Sequence, residues 1–295
     1  MLKFNAMPEN GAAAQKKPAR RLGGASGRPA RILAVANQKG GVGKTTTAIN
    51  LGTALAAGGQ RVLLLDLDPQ ANATTGLGTA PGTREPDSYD LIIGEAALDE
   101  VVIETEVPDL FLAPTSMHLS GAEIELVQAE RREYRLADAL ADALGGHTAP
   151  YDYVLIDCPP ALGLLTLNAL VAADGVLVPL QCEYYALEGV SHLVRTINRI
   201  KASFNNNLDI QGVVLTMHDR RNRLSGMVAE DVRNCFGSKV YETIIPRNVR
   251  VSEAPSHGKP VLLYDLRCAG AMAYAHLARE VVLRERDLDK MSIHQ

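Results

Sequence analysis

The stretch NQKGGVGKTTTAINL, Asn37 to Leu51, sets three glycines and two lysines between an apolar run and a helical pattern. Such a turn leaves backbone N–H groups free to point at an anion, and the helix N-terminus behind them favours negative charge. Gly40, Gly41, Val42 and Gly43 lead into Lys44, placed for the β- and γ-phosphates, and into the Thr45 hydroxyl, placed for Mg²⁺, with Thr46 next in line. A turn whose glycines only relieve strain is the plainer alternative, but it does not require the Gly-Lys-Thr ending. The stretch therefore predicts a nucleoside triphosphate site. In one place it departs from G-x-x-x-x-G-K-T: Gln38 stands at the first glycine position and Lys39 follows it.

From Arg31 onward, short apolar runs alternate with helix-period segments. The strand candidates are 31–37, 61–68, 110–115, 153–159, 175–181, 212–217 and 240–246. Most are nearly continuous in Val, Leu and Ile, as expected of strands covered on both faces. Helices are predicted over Thr46–Ala57 and Leu187–Phe204, the latter repeating Leu187, Val190, Val194, Ile197 and Phe204. The alternation predicts a doubly wound α/β fold, its mostly parallel sheet flanked by helices, with ligands at the carboxyl ends of the strands. Polar motifs stand at those ends: after Asn37, at Asp66 and Asp68, at Asp157, after Met217 and at Pro246.

Two acids closing one apolar strand, Asp66 and Asp68, are hard to explain as core. Turn chemistry at Asp68-Pro69 accounts for one of them but not for both. The run YVLIDCP ends in Asp157, the arrangement by which a carboxylate reaches Mg²⁺ through water.

Composition restricts the rest. With 46% hydrophobic and 22% charged residues the chain can bury a full core. No run approaches the roughly 20 apolar residues that span a bilayer, and no compact secretory signal opens the chain, so a cytoplasmic protein is expected. Four cysteines with no C-x-x-C pair predict reduced, buried thiols. Residues 1–30, rich in Ala, Gly, Pro, Lys and Arg, are expected to form a disordered basic tail, with residues 31–295 a single domain. The net charge of −4 argues weakly against nucleic acid, so a DNA reading has to rest on local clusters. Arg220, Arg221 and Arg223, with Arg247, Arg250 and Lys259, offer one basic face.

The run KGGVGKT resembles the deviant phosphate loop of the ParA/MinD group of P-loop ATPases. Segment 243–265, TIIPRNVRVSEAPSHGKPVLLYD, is similar to the ParA/Soj partition ATPases, and the likeness runs from about Arg31 to the end. The resemblance implies ATP and Mg²⁺ as cofactors, with Lys39 reaching a partner subunit's nucleotide in an ATP-bound homodimer. It implies that Asp68 orients the attacking water, that Asp66 supports the magnesium shell with Asp157 and Thr45, and that Pro246 and Asn248 frame the adenine beside Met217. It further implies slow hydrolysis stimulated by a ParB-like centromere-binding partner, non-specific DNA contacts from the arginines, and a place at the nucleoid. Chromosome, plasmid or another cargo all remain open. A membrane-cycling ATPase of the MinD type would end in a basic amphipathic helix, whereas REVVLRERDLDKMSIHQ mixes its charges, so no membrane partner is expected. An iron–sulfur reductase would need cluster-holding cysteines, and Cys158 and Cys182 lack that support.

Overall fold

The computed structural model describes residues 29–144, 150–183 and 186–293. The expected basic tail lies outside this range except for its last two residues. Seven strands form one sheet: β1 (Arg31–Val35), β2 (Val62–Asp66), β3 (Ile103–Glu104), β4 (Leu110–Ala113), β5 (Tyr153–Asp157), β6 (Gly175–Gln181) and β7 (Asp209–Thr216). Their spatial order is β3-β4-β2-β5-β1-β6-β7, and every pairing is parallel except β3 with β4 at one edge.

Around the sheet lie α1 (Lys44–Ala57), α2 (Asn72–Gly76), α3 (Ser88–Ile93), α4 (Leu98–Val101), α5 (Leu119–Glu125), α6 (Arg135–Leu144), α7 (Leu164–Ala172), α8 (Ala186–Ser203), α9 (Arg223–Phe236), α10 (Val249–Glu253), α11 (Val261–Tyr264) and α12 (Ala269–Ile293). Strand side chains alternate between two cores. Leu33, Val35, Leu64 and Leu155 face α1 and α12, while Ala34, Leu63, Leu65 and Ile156 face the side of α6, α7, α8 and α9. Coverage of both faces is why the strands read as unbroken apolar runs.

The phosphate-loop helix is more deeply placed than its sequence suggests. It begins at Lys44, two residues before the predicted start, and Thr47 to Ala56 are all buried, because the sheet lies on one side of α1 and α12 on the other. Leu51 and Leu55 are excluded from water. Each contributes on the order of 1.5–3 kcal/mol from burial.

The segment at 240–246 corrects a sequence expectation. It does not form a strand: it makes isolated parallel bridges, Val213 with Val240 and His218 with Pro246, and separate amide bonds from Tyr241 to Val213 and from Ile245 to Leu215 on β7. The Glu280 carboxylate on α12 accepts the amides of Glu242 and Thr243 at 2.8 and 3.1 Å, drawing the middle of the segment off the ladder. Pro246 cannot donate to a neighbour at the other end. Cysteine burial is also mixed. Cys158 and Cys182 are buried, but Cys268 is half-buried and Cys235, on the outer side of α9, is exposed.

Candidate nucleotide-binding site

β1 lies between β5 and β6, so the chain leaving its carboxyl end emerges at the crevice where an open α/β sheet takes its ligands. Gly41 and Gly43 adopt φ of 75° and 88°, a left-handed backbone that a Cβ strains. Gly43 is the N-cap of α1 and supplies no side-chain cap, and no acid sits in the first turn. The opening amides of the helix are thus left for an external anion. The turn is held from both sides. The buried Asn37 donates Nδ2 to the Pro179 carbonyl on β6 and accepts the Lys39 amide on Oδ1. Thr216 donates its hydroxyl to the Val42 carbonyl.

Lys44 is buried, and its ammonium donates to the Lys39 carbonyl at 3.2 Å, curling the turn around the side chain. Burial lowers its pKa, against which Asp157 and Asp68 act to keep it charged. Lys39 points its ammonium to Glu183, just beyond β6.

Asp66 and Asp157 are register partners on adjacent strands and both are fully buried. Their surroundings differ. Asp66 accepts the Thr74 amide and hydroxyl at 2.8 and 2.7 Å and the Asp68 amide at 3.2 Å, so its oxygens fasten α2 to β2. Asp157 has both oxygens buried with no hydrogen-bond partner. Burial, then the neighbouring Asp66 carboxylate, raises its pKa well above the usual range, while the Thr45 hydroxyl nearby acts the other way. An unpartnered buried carboxylate next to a P-loop threonine fits magnesium, which takes one or two protein oxygens and completes its shell with phosphates and water. Among the described residues, no group of three or more His, Cys, Asp and Glu side chains provides an all-protein metal site. Asp68 is 6% exposed and accepts the Gln70 amide, holding it at the head of the segment that α2 completes.

The three adenine candidates lie on the two segments that the His218–Pro246 bridge joins beyond β7. Met217, at φ 51°, brings its Cε within 3.7 Å of where a Cβ on Gly43 would stand. Pro246 is bridged to the adjacent His218. Asn248 caps α10 by accepting the Arg250 amide, which commits one of its polar atoms.

The arginines separate into groups. Arg220, Arg221 and Arg247 share the wall of an open cavity of about 900 Å³ at the sheet edge, whereas Arg223 opens α9 and Arg250 sits in α10. Arg221 is bound to Asp219, holding that carboxyl at about 2, and Arg250 is paired with Glu253 and Asp265. Lys259 is elsewhere, lining a 280 Å³ cavity with Thr45, Thr46 and Thr75. The supporting roles of Asn37, Thr216, Thr74 and Glu183 do not show in the sequence. Only Asn37, closing an apolar run before the glycines, carries a local signal.

A loop that gathers backbone amides and a buried lysine beside an open carboxylate is suited to a triphosphate with its cation, which makes this a P-loop nucleoside triphosphatase. The AAA domain family matches residues 30–210. Within that class the chain belongs to the ParA/Soj family of chromosome-partitioning ATPases. It is 63% identical to the chromosome partitioning protein ParA of Caulobacter vibrioides over 89% of this chain and 97% of that one. It is 53% identical to the sporulation initiation inhibitor protein Soj of Bacillus subtilis, over 85% and 98%. Among solved structures, cobyrinic acid a,c-diamide synthase of Mycobacterium smegmatis with bound ADP and magnesium superposes with a TM-score of 0.74. That pair is 39% identical and covers 85% of this chain and 93% of the other. No described helix is long and apolar enough to cross a membrane.

Proposed function

We propose that this protein is an ATP-dependent dimerisation switch that binds DNA without sequence preference and is reset by ATP hydrolysis, partitioning a chromosome or plasmid with a ParB-like partner. The observation that carries this reading is the second lysine of the phosphate-binding turn. Lys39 is 41% exposed, outside the buried position that Lys44 fills, so that its ammonium can leave Glu183 for a neighbouring subunit. The names of relatives at 63% and 50% identity, both chromosome partitioning proteins, support the partition role.

In this reading the amides of Gly40 to Thr46 and the Lys44 ammonium bind the phosphates, and Met217, Pro246 and Asn248 surround the base. Thr45 and Asp157, with Asp66 behind, would hold magnesium, which would supply charge neutralisation on the phosphate oxygens. Asp68 orients the attacking water. Lys39 brings positive charge to the partner's nucleotide only after dimerisation, which is the logic of an arginine finger acting in trans. Arg220, Arg221, Arg223, Arg247 and Arg250 meet DNA phosphates, which places the protein in the cytoplasm at the nucleoid. Residues 1–30 add a basic tail to the ATPase domain of residues 31–295.

Binding of a nonspecific duplex at several salt concentrations, with ATP and an Asp68→Ala protein, tests this reading. Adding Arg220→Ala and Arg221→Ala releases up to two DNA phosphates per subunit, and the salt slope should flatten by about one for each phosphate released. An unchanged slope returns these arginines to ordinary surface charge. Affinity confined to one DNA sequence replaces the partition reading with that of a specific regulator.

A further inference from the structure

Lys39 is anchored at three points within its own subunit. Its amide donates to Asn37 Oδ1 at 3.1 Å, its carbonyl accepts the Lys44 ammonium at 3.2 Å, and its own ammonium is ion-paired with Glu183. The supports beneath both ends belong to the sheet. Asn37 is stitched to Pro179 on β6, and the Ala36 amide donates to the Leu177 carbonyl on the same strand. Glu183 lies two residues beyond the end of that strand. It follows the buried Cys182, whose amide donates to the Thr216 carbonyl, and its own amide donates to Gln181. The two charges are therefore presented to each other by neighbouring strands, while both side chains remain partly open to solvent, at 41% and 34%. No other ion pair of Lys39 is found among the described residues.

We propose that Glu183 is a positioning residue for Lys39: it holds the lysine in its own subunit until a partner's nucleotide draws the charge away. This rests on the reading of Lys39 as a residue acting across a dimer interface. Before dimerisation Lys39 is charge-compensated and withheld. The exchange of one carboxylate for a triphosphate is favourable only when the nucleotide of a second subunit is presented, so Glu183 sets the threshold for assembly. An ion pair of this exposure shifts an equilibrium about 1.4- to 5-fold, and two pairs per dimer put the combined effect between about 2- and 25-fold.

The first arm of the test is zero-length carbodiimide cross-linking of the wild-type protein without nucleotide. An amide between the Lys39 amine and the Glu183 carboxyl, found by mass spectrometry, should form and should decline when ATP and Mg²⁺ are added. In the second arm, sedimentation with ATP should show Glu183→Gln dimerising about 2- to 25-fold more tightly and Glu183→Asp close to wild type. Glu183→Gln should change nothing in a Lys39→Ala background. Unchanged ATP affinity of the Glu183→Gln monomer separates the effect from damage to the loop. The proposal is overturned by a missing cross-link, by a looser Glu183→Gln dimer, or by equal tightening without Lys39. If the wild-type protein forms no dimer with ATP, the underlying reading of Lys39 fails instead.

Discussion

Thr216 Oγ1 donates to the Val42 carbonyl at 2.9 Å, joining the last residue of β7 to the phosphate-binding turn across 174 positions of sequence. Both residues are buried, so removing the hydroxyl leaves a carbonyl without a partner. Thr216→Val should cost about 1–3 kcal/mol of stability and weaken ATP binding, while Thr216→Ser retains most of both. Urea denaturation with and without ATP measures the two effects. Equal stability of wild type and Thr216→Val would show that the turn holds its shape unaided.

Lys44→Ala removes the cation enclosed by the turn. Charged hydrogen bonds contribute about 1.5–3 kcal/mol each, so ATP affinity should fall by about tenfold or more. Equilibrium binding of a labelled ATP analogue reads this directly, and wild-type affinity would remove the turn from the nucleotide site.

Asp157 offers a prediction in pH. Burial and the Asp66 carboxylate raise its pKa well above the ordinary carboxylate range, so the folded protein holds the proton more tightly than the unfolded chain. The stability this contributes is complete below the unfolded pKa and is lost as pH rises through the folded one. Asp66, raised by burial despite its bonds to Thr74, acts in the same sense. Asp157→Asn should therefore flatten the decline of nucleotide-free stability above about pH 4 and leave that form more stable than wild type at about pH 7. The same substitution should abolish the dependence of ATP affinity on Mg²⁺. Denaturation midpoints at about pH 5 and about pH 7, with ATP titrations with and without Mg²⁺, distinguish these outcomes. A wild-type pH slope in Asp157→Asn would mean that another group carries the titration.

Glu280 holds the middle of segment 240–246 by two amide bonds away from β7. Glu280→Ala frees the amides of Glu242 and Thr243 and unpairs Arg284, which also bonds to that carboxylate. Hydrogen exchange at the two amides should quicken, with a stability loss of about 2 kcal/mol. Unaltered exchange would mean that the segment holds its path without the carboxylate.

The Gly-rich turn, the buried strands of a mostly parallel sheet and the acids closing β2 and β5 are legible in the sequence because each is local: a run of side chains or a turn with its own backbone demands. The departure at 240–246 is not, since its cause is a carboxylate 38 residues beyond Glu242 on another element. Nor does sequence separate Asp66 from Asp157. Both end an apolar strand, and only the fold places Thr74 against one and leaves the other open. The arginines between 220 and 250 read as one basic face, yet Asp219, Glu253 and Asp265 compensate two of them in space. Glu183 gives no signal because its partner follows a strand remote in sequence.

Just beyond α2, Gly78 meets Gly258, the residue that closes the turn after Ala254–His257. Both have positive φ, and a Cβ on Gly258 would stand 2.8 Å from the Gly78 Cα. Two backbones pressed together, with no side chain between them to yield, behave as meshed teeth. At this point the segment headed by Asp68 and the segment that carries Arg247, Arg250 and Lys259 are in direct backbone contact. A Cβ at Gly258 would therefore have to push the two segments apart, because what it meets is backbone and not a side chain that could turn aside.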